Sequence, residues 1–286
     1  MSIKIIECPR DAMQGLHAFV PTHKKIHYIN QLLKVGFDTI DFGSFVSPKA
    51  IPQMQDTAEV LSSLELSKTK SKLLAIIANI RGAETASAYP EISYLGFPFS
   101  ISETFQRRNT NTGIAESLAN VEQIQQICAS TGKELVVYIS MGFGNPYGDP
   151  WSTEVAEKWV AEMDKLGVKI ISLSDTVGIA NPESISYLFR NLIPVFPNIE
   201  FGAHLHTTPQ TWHEKIEAAY TSGCKRFDGA LKGYGGCPMA TDKLTGNMAT
   251  ENLLAYFSQK NEQTNIEEEN FNASMLIANQ LFSEYH

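Results

Sequence analysis

Short apolar runs alternate with longer amphipathic segments from one end of the chain to the other. Runs rich in β-branched and aromatic residues predict strands, and segments whose apolar residues recur every three or four positions predict helices. The predicted strands cover residues 3–8, 39–45, 72–79, 92–97, 134–141, 169–175, 199–206 and 226–231. The predicted helices cover residues 22–35, 51–64, 81–89, 114–131, 153–166, 182–196, 209–222 and 250–258, followed by a helix at the C-terminus.

The residues at the helix ends support these boundaries. A left-handed cap at the end of a helix favours glycine, and a capping side chain followed by proline favours a helix start, as at Asn181 and Pro182. The glycines that follow predicted helices are Gly36, Gly132, Gly167 and Gly223. Strand followed by helix, repeated along the chain, predicts a (β/α)8 TIM barrel with additional C-terminal helices, and we expect residues 1–286 to form a single catalytic domain. Periodicity alone is also compatible with a doubly wound open sheet.

Composition narrows the class of partner. Hydrophobic residues make up 43% of the chain and charged residues 19%, which predicts an ordinary globular core. The net charge is −8 and no Lys/Arg-rich run is present, so we expect neither a nucleic-acid nor a membrane partner. The four cysteines have neither zinc-site spacing nor the density of a disulfide framework. Because the chain opens on a strand-like run and contains no apolar stretch of membrane-spanning length, we expect a cytoplasmic protein.

Polar residues stand where several predicted strands end. In a (β/α)8 barrel the active site is built at the C-terminal ends of the strands. Asp11 follows the first strand, and His204 and His206 end the seventh. Alternate residues of a strand face the same way, so both imidazoles can share one ion with Asp11. A lone histidine pair is commonly structural, but the added carboxylate favours a metal site, and oxygen and imidazole donors suit Mg²⁺, Mn²⁺ or a similar ion.

Further residues at the same ends are candidates for substrate binding and catalysis. The permanent charge of Arg10 suits an enolate or carboxylate oxygen, with surface ion pairing as the alternative. Cys237 lies in a glycine-rich loop after the last strand, where a mobile thiol can act as a nucleophile or proton donor, unless it is an incidental buried thiol. Asp41 and Asp175 are site candidates with structural capping as the alternative, and Glu251 is a candidate that could equally mark a helix start.

Several stretches of the chain together resemble a known family. They are Glu7-Cys8-Pro9-Arg10-Asp11 with Gln14, Ser44-Phe45-Val46-Ser47-Pro48-Lys49 with Pro52-Gln53-Met54, Asp175-Thr176-Val177-Gly178, His204-Leu205-His206, and Gly235-Gly236-Cys237-Pro238 followed by Gly246-Asn247-Met248-Ala249-Thr250-Glu251. The chain resembles the 3-hydroxy-3-methylglutaryl-CoA lyases, of the metal-dependent barrel superfamily that also contains isopropylmalate and homocitrate synthases. The metal motif is shared by the superfamily, whereas the second and last stretches resemble the lyases specifically.

This resemblance implies cleavage of 3-hydroxy-3-methylglutaryl-CoA to acetyl-CoA and acetoacetate with Mg²⁺ or Mn²⁺ as cofactor. The implied metal ligands are Asp11, His204, His206 and Asn247. The implied substrate-binding residues are Arg10, Gln14, Asp41, Ser44 and Ser172. Arg10 would stabilise the enolate, and Cys237 would be the catalytic acid. We assign removal of the hydroxyl proton to Asp175 working with His204, and we include Glu251 among the catalytic residues.

Three departures from the family pattern bear on the substrate. The family usually has Glu in place of Asp41, Gly in place of Cys8, and His-Cys-His-Asp-Thr-Tyr where residues 204–209 read His-Leu-His-Thr-Thr-Pro. A related 3-hydroxyacyl-CoA lyase is therefore an alternative. Claisen-condensing synthases or aldolases are another, but synthases usually carry a long extra C-terminal region, and this chain stops soon after the barrel. A catalytically silent barrel that binds an acyl-CoA or metal is the third. The expected partner is an acyl-CoA, and the C-terminal helices are the expected contact of a homodimer.

Overall fold

The computed structural model describes residues 2–236 and 245–285. Eight parallel strands form a closed barrel in the order β1-β2-β3-β4-β5-β6-β7-β9, and β8 and β10 form a small antiparallel pair beside it. The strands are β1 (Lys4–Glu7), β2 (Thr39–Ser44), β3 (Lys72–Ile76), β4 (Ile92–Ser100), β5 (Glu134–Ser140), β6 (Ile170–Ser174), β7 (Glu200–His204), β8 (His206–Thr207), β9 (Arg226–Gly229) and β10 (Gly246–Asn247). The barrel closes where β1 pairs with β9, with Lys4 opposite Arg226.

Helices cover the outside of the barrel. They are α1 (Pro9–Gln14), α2 (Thr22–Leu32), α3 (Thr57–Ser62), α4 (Ile80–Ser87), α5 (Glu103–Thr110), α6 (Ile114–Thr131), α7 (Thr153–Lys165), α8 (Pro182–Val195), α9 (Trp212–Thr221), α10 (Thr250–Gln259) and α11 (Glu268–Tyr285). The predicted (β/α)8 barrel with additional C-terminal helices is confirmed. Across the described part of the chain, no helix is both long enough and apolar enough to cross a lipid bilayer.

The apolar core has two layers, as expected for a barrel wrapped in helices. Alternate residues of β3 to β6 form an inner cluster, which comprises Leu74, Ile76, Tyr94, Val136, Tyr138 and Ile170. The opposite faces of the strands pack against the helices, for example at Leu73, Leu95 and Val137. The strand pattern therefore has a buried residue on each face, which is why the predicted strands contain near-continuous apolar runs.

Local capping chemistry agrees with the predicted helix ends. Glycine has a positive φ after four helices, with values of 94°, 70°, 81° and 101° at Gly36, Gly132, Gly167 and Gly223. Asn181 caps α8, with Ser184 completing a capping box and Pro182 in the first turn.

Four elements differ from the prediction. The predicted helix over 51–64 is a short 3₁₀ turn, Pro52–Met54, followed by α3. The short helices α1 and α5 were not predicted, because α1 has only six residues and Phe105 is the one apolar residue of α5, so neither displays a clear apolar period. The predicted strand over 199–206 breaks at Leu205, because His206 leaves the barrel to pair with β10.

Candidate active site

The first turn after β1 supplies three neighbouring polar side chains. Positions three and four apart on a helix are neighbours, so Gln14 in α1 reaches both Asp11 and Arg10. Gln14 Nε2 donates to Asp11 Oδ1 at 2.6 Å, and Arg10 Nη1 donates to Gln14 Oε1 at 2.9 Å. Arg10 Nη1 also donates to Asp11 Oδ1 at 2.9 Å. These contacts fix Arg10 and Asp11 against each other at the mouth of the barrel.

The two histidines lie on either side of the break in the seventh strand. His204 ends β7, and His206 begins β8 after Leu205. β8 pairs with β10 so that His206 lies opposite Asn247. The centroids of the two imidazole rings are 5.5 Å apart. The short ladder between β8 and β10 thus brings Asn247, which is distant in sequence, beside the histidines.

Asp11, His204 and His206 converge on one point. One possible ligand atom from each lies within 4.8 Å of the other two. Asn247 Nδ2 donates to Asp11 Oδ2 at 2.6 Å and to the backbone oxygen of Tyr234 at 2.9 Å. A carboxylate, two imidazoles and an amide are donors that suit a divalent ion of hard or borderline character. The residues therefore fit a metal ion.

Two groups of this cluster are held in forms that bind metal. Burial alone would raise the pKa of Asp11, but Arg10 and His204 hold it below its ordinary value. Burial and the neighbouring His204 lower the pKa of His206 to about 3. Burial also opposes a charged His204, but the hydrogen bond to Asp228 and the negative charges of Asp228 and Asp11 together outweigh burial and raise the pKa of His204. An ionised Asp11 and a neutral His206 are the forms that bind metal.

Arg10 is held from its other side by Asp41, which lies in β2. Arg10 Nη2 donates to Asp41 Oδ2 at 2.6 Å, and Arg10 Nε donates to the same oxygen at 3.0 Å. Burial raises the pKa of Asp41 to about 6, although the Arg10 charge opposes this. A two-point contact orients the planar guanidinium more strictly than a single hydrogen bond does. Asp41 therefore determines which way Arg10 faces.

A cavity of about 180 Å³ opens beside the cluster. Its polar wall includes Arg10, Asp11, Gln14, Ser44, His204 and His206. Its apolar wall includes Ile76, Ala78, Pro98, Phe105 and Tyr138. The buried Ser44 Oγ has no hydrogen-bond partner within the described residues, so this hydroxyl is available to a ligand. The cavity combines an apolar wall with converging polar groups, which is typical of a small-molecule site.

Asp175 does not share this cavity. It follows β6, and its Oδ2 accepts a hydrogen bond from Lys215 Nζ at 2.6 Å, while Oδ1 accepts one from the backbone N–H of Ala180 at 2.9 Å. Lys215 Nζ also donates to the backbone oxygens of Gly178 at 3.0 Å and His206 at 2.8 Å. Burial raises the pKa of Asp175, although the Lys215 charge opposes this. The carboxylate is thus occupied by structural partners, and the structure does not bring it to the cavity.

Ser172 also lies away from the cavity wall, inside the barrel. Ser172 Oγ donates to Asp228 Oδ2 at 3.3 Å, and the same oxygen lies 3.1 Å from His204 Nδ1. Because Nδ1 of His204 faces Asp228, Nε2 is the ring nitrogen left for an ion held with Asp11 and His206. Asp228 thus fixes the orientation of a metal-ligand candidate from behind, as outer carboxylates do in many metal sites.

The glycine-rich loop begins beside the metal-ligand candidates. Gly235 has a φ of +91°, and a side chain there would meet the backbone oxygen of Asp11 at 2.6 Å and Asn247 Nδ2 at 2.8 Å. Only glycine allows this close approach. Cys237 lies outside the described residues. Glu251 Oε2 accepts a hydrogen bond from the backbone N–H of Lys232 at 3.0 Å, so it ties the loop to α10 rather than facing the cavity.

Buried Glu7 joins both ends of the same loop. Its Oε1 accepts from the backbone N–H of Leu231 at 2.9 Å, and its Oε2 lies 2.6 Å from Thr250 Oγ1. Burial raises the pKa of Glu7 to about 8. Leu231 precedes the loop and Thr250 follows it. Glu7 thus holds the stems of the segment that contains Cys237.

Sequence reasoning missed three residues around the site. Asp228 lies in a predicted strand between apolar neighbours, and this pattern could have indicated a buried charge. Glu7 has the same signal at the end of β1. Lys215 offered none, because a lysine in an amphipathic helix is typical of a solvent-facing position, whereas Lys215 is only 2% exposed.

Comparison with known proteins identifies the family. The family model described as HMGL-like matches residues 3–276. The chain belongs to the HMGL-like family. It is 32% identical over 258 residues to the hydroxymethylglutaryl-CoA lyase of Bacillus subtilis, an alignment that covers 90% of this chain and 85% of the relative. It is also 32% identical over 257 residues to the 3-hydroxy-3-isohexenylglutaryl-CoA/hydroxymethylglutaryl-CoA lyase of Pseudomonas aeruginosa, covering 88% and 83% of the two chains.

Solved structures of other HMGL-like proteins share the fold. The structure of an HMG-CoA lyase from Acinetobacter baumannii in complex with coenzyme A and 3-methylmalate superimposes with a TM-score of 0.91 at 31% identity, covering 99% of this chain and 92% of that one. An HMG-CoA lyase from Brucella melitensis superimposes with a TM-score of 0.90 at 27% identity, covering 98% of both chains. The family resemblance expected from the sequence motifs is confirmed.

Proposed function

We propose that this HMGL-like protein is a divalent-metal-dependent lyase that cleaves 3-hydroxy-3-methylglutaryl-CoA to acetyl-CoA and acetoacetate. The observation that carries the proposal is the convergence of Asp11, His204 and His206 beside Arg10 on one cavity. The names of the relatives from Bacillus subtilis and Pseudomonas aeruginosa support the same activity.

The reaction requires an ionised hydroxyl and a stabilised carbanion. The tertiary hydroxyl loses its proton and becomes the ketone of acetoacetate, while the bond between C2 and C3 of the acyl group breaks. The electron pair of that bond passes to C2, which becomes the enolate of the acetyl thioester. A proton added to C2 then yields acetyl-CoA. The protein must therefore accept one proton, hold a developing negative charge and donate one proton.

We assign the metal, Mg²⁺ or Mn²⁺, to Asp11, His204, His206 and Asn247. Such an ion, when bound, polarises the substrate oxygens and makes the hydroxyl more acidic. For Asn247 to take part, its amide oxygen must be the ligand, and this agrees with its Nδ2 donating to Tyr234 and Asp11. Asp228 holds the ring of His204, and Lys215 holds the backbone of His206.

Arg10 stabilises the enolate. It lines the cavity, and Asp41 and Gln14 hold its guanidinium in place before substrate binds. Preorganised positive charge lowers the energy of a developing anion without reorganisation during the reaction. Ser44 lines the same cavity, its hydroxyl has no hydrogen-bond partner in the described part of the chain, and it would bind a polar group of the substrate.

The geometry changes the assignment of the proton acceptor. Asp175 is enclosed by Lys215 and Ala180, and we give it a positioning role. His204 cannot accept a proton at Nε2 while that atom holds the ion, and its Nδ1 faces Asp228. Asp41 is likewise buried, accepts hydrogen bonds from Arg10 and is not part of the cavity wall. We therefore give it a positioning role as well and assign the hydroxyl proton to neither carboxylate.

Cys237 is proposed as the acid that protonates the carbanion. It follows Gly235 and Gly236, and the backbone of Gly235 packs against Asp11 and Asn247. Cys237→Ala should lose most turnover and keep its metal. Cys128→Ala is the matched control, because Cys128 is a buried thiol of α6 away from the cavity. Equal turnover in both variants would remove Cys237 from the mechanism.

The activity is tested by incubating the protein with Mg²⁺ or Mn²⁺ and 3-hydroxy-3-methylglutaryl-CoA. Acetoacetate and acetyl-CoA should appear in equal amounts. Folded, metal-loaded protein that yields neither product from any 3-hydroxyacyl-CoA would contradict the proposal and favour a silent barrel.

A lyase for a longer 3-substituent is the second candidate. The Pseudomonas aeruginosa relative is named for 3-hydroxy-3-isohexenylglutaryl-CoA as well, and one cavity wall here is apolar. A higher kcat/KM for the isohexenyl substrate than for the methyl substrate would favour this candidate.

Two further proposals concern the whole protein. Residues 1–286 work as one catalytic domain, and the protein is a cytoplasmic homodimer. Leu276 on α11 is 71% exposed, which supports the C-terminal helices as the dimer contact. Sedimentation of the wild type and of Leu276→Glu tests the dimer: the variant should be monomeric, and identical sedimentation of the two proteins would exclude this contact.

A further inference from the structure

A second group of metal-binding donors lies behind the proposed catalytic ion. It comprises Cys8, His204 and Asp228, and one possible ligand atom from each lies within 4.8 Å of the other two. The barrel closure brings them together, because β9 pairs with both β1 and β7. In that register Asp228 lies opposite Ile6 on one side and opposite His204 on the other. Cys8 follows β1 directly and is buried, as is Asp228.

One oxygen of this group lacks a partner. Asp228 Oδ2 is engaged by His204 and Ser172. Asp228 Oδ1 is buried and has no hydrogen-bond partner among residues 2–236 and 245–285. Within the same described residues, the Cys8 thiol makes only a long contact of 3.9 Å to the backbone oxygen of Ile6. A buried carboxylate oxygen without a donor is costly, so this position favours a cation or another donor.

We propose that Cys8, His204 and Asp228 form a second metal site that selects thiophilic ions such as Zn²⁺. Around a tetrahedral zinc ion with bonds of about 2.0 Å to nitrogen or oxygen and about 2.3 Å to sulfur, neighbouring donors lie roughly 3.3–3.6 Å apart. The 3.1 Å separation of His204 Nδ1 and Asp228 Oδ2 is close to that value. Because all three ligand atoms lie within 4.8 Å of one another, the side chains need only a small inward movement to reach an ion.

The two sites differ in the kind of ion that they prefer. The catalytic group offers oxygen and imidazole donors, whereas the second group offers a thiolate, which soft and borderline ions favour strongly over Mg²⁺. Binding at the second site releases the Cys8 thiol proton to solvent and moves the Nδ1 proton of His204 to Nε2, which then no longer holds the catalytic ion.

Both sites use His204, so their ions interact. In the described geometry Nδ1 of His204 faces Asp228 and leaves Nε2 for the catalytic ion. An ion held by Cys8 and Asp228 takes the place of the hydrogen bond that orients this ring. Thiophilic ions should therefore inhibit the Mg²⁺- or Mn²⁺-dependent reaction through Cys8. This consequence rests on the proposed function, but metal binding itself does not.

Cobalt(II) is the probe for the binding claim, because thiolate coordination gives a sulfur-to-cobalt charge-transfer band in the near ultraviolet. The wild type should show this band with Co²⁺, Cys8→Ala should lose it, and Cys237→Ala should keep it. Absence of the band in the wild type, or its loss only in Cys237→Ala, would overturn the proposal. If Cys8→Ala fails to fold, Cys8→Ser replaces it, because serine keeps the size of the buried side chain and offers no sulfur to the ion.

Inhibition gives an independent readout on the Mn²⁺-loaded protein. Cys8→Ala should keep wild-type activity in Mn²⁺ and should need a Zn²⁺ concentration at least about tenfold higher for half-inhibition. Equal Zn²⁺ sensitivity of Cys8→Ala and the wild type would contradict the regulatory consequence. If the wild type is inactive but still shows the Cys8-dependent cobalt band, the proposed lyase function is wrong and the proposed second metal site is supported.

Discussion

Removal of the Lys215 ammonium is a severe perturbation of this barrel. Its three partners are Asp175 Oδ2 at 2.6 Å, the backbone oxygen of His206 at 2.8 Å and that of Gly178 at 3.0 Å. The side chains of Lys215 and Asp175 are 2% and 0% exposed. Lys215→Met keeps most of the apolar stem and removes all three donors, so the buried carboxylate of Asp175 loses its counter-charge.

The expected loss follows from burial. Removal of one partner of a buried ion pair costs about 3–5 kcal/mol, because the remaining charge stays desolvated. With an unfolding entropy of about 2.1 cal/mol/K per residue, that corresponds to a fall in Tm of roughly 5–8 °C for 286 residues. The double variant Lys215→Met/Asp175→Leu should recover much of the loss, because it leaves no buried charge unpaired.

Urea unfolding followed by circular dichroism measures this effect. The matched control is Lys165→Met. It removes an ion pair of similar length, 2.7 Å between Lys165 and Glu162, in which the lysine side chain is 68% exposed. The control should lose about 0.5 kcal/mol or less. Equal losses in Lys215→Met and Lys165→Met, or a double variant less stable than Lys215→Met, would refute the argument that burial makes this pair important.

Three further predictions concern single side chains. The pKa of Glu7 is raised from 4.5 to about 8, so between these pH values the folded protein keeps a proton that the unfolded chain has lost. The free energy of unfolding should therefore fall as pH rises through this interval. Glu7→Gln should flatten that slope when unfolding is measured between pH 5 and 8. With a pKa of about 6, Asp41 should give kcat/KM an acid limb that falls below about pH 6, and a limb that persists unchanged in Asp41→Asn would exclude Asp41 as its source. Asp228→Asn should weaken Mn²⁺ binding about 10–100-fold by loosening His204, and calorimetric titration that finds unchanged affinity would contradict this positioning role.

Periodicity predicted the strands and helices, because every barrel strand is buried on at least one face and every long helix carries an apolar stripe; the count of eight strands favoured a barrel over an open sheet. It failed where an element is short or where tertiary pairing decides its course. Helix α1 has only six residues, and the break at Leu205 depends on pairing between β8 and β10. A local apolar pattern reveals neither a helix this short nor a strand break that depends on distant pairing.

The candidate site was predictable only in part. Position at strand ends was enough to group Asp11 with His204 and His206, whereas Asn247 required the family resemblance. The residues behind the site depend on register and on helix packing. Asp228 reaches His204 because the eighth barrel strand pairs directly with the seventh. Lys215 reaches Asp175 only because α9 packs against the end of the sheet.

We propose that the ion held by Asp11, His204 and His206 enables carbon–carbon cleavage. Titration of Mn²⁺ into metal-free protein, with acetoacetate release from 3-hydroxy-3-methylglutaryl-CoA and bound Mn²⁺ followed together, tests this proposal. No product should form without metal, the rate should rise in proportion to occupancy of one site per chain, and His206→Ala should lose both the bound ion and the product. Cleavage by metal-free protein, or undiminished cleavage by His206→Ala, would contradict the proposal.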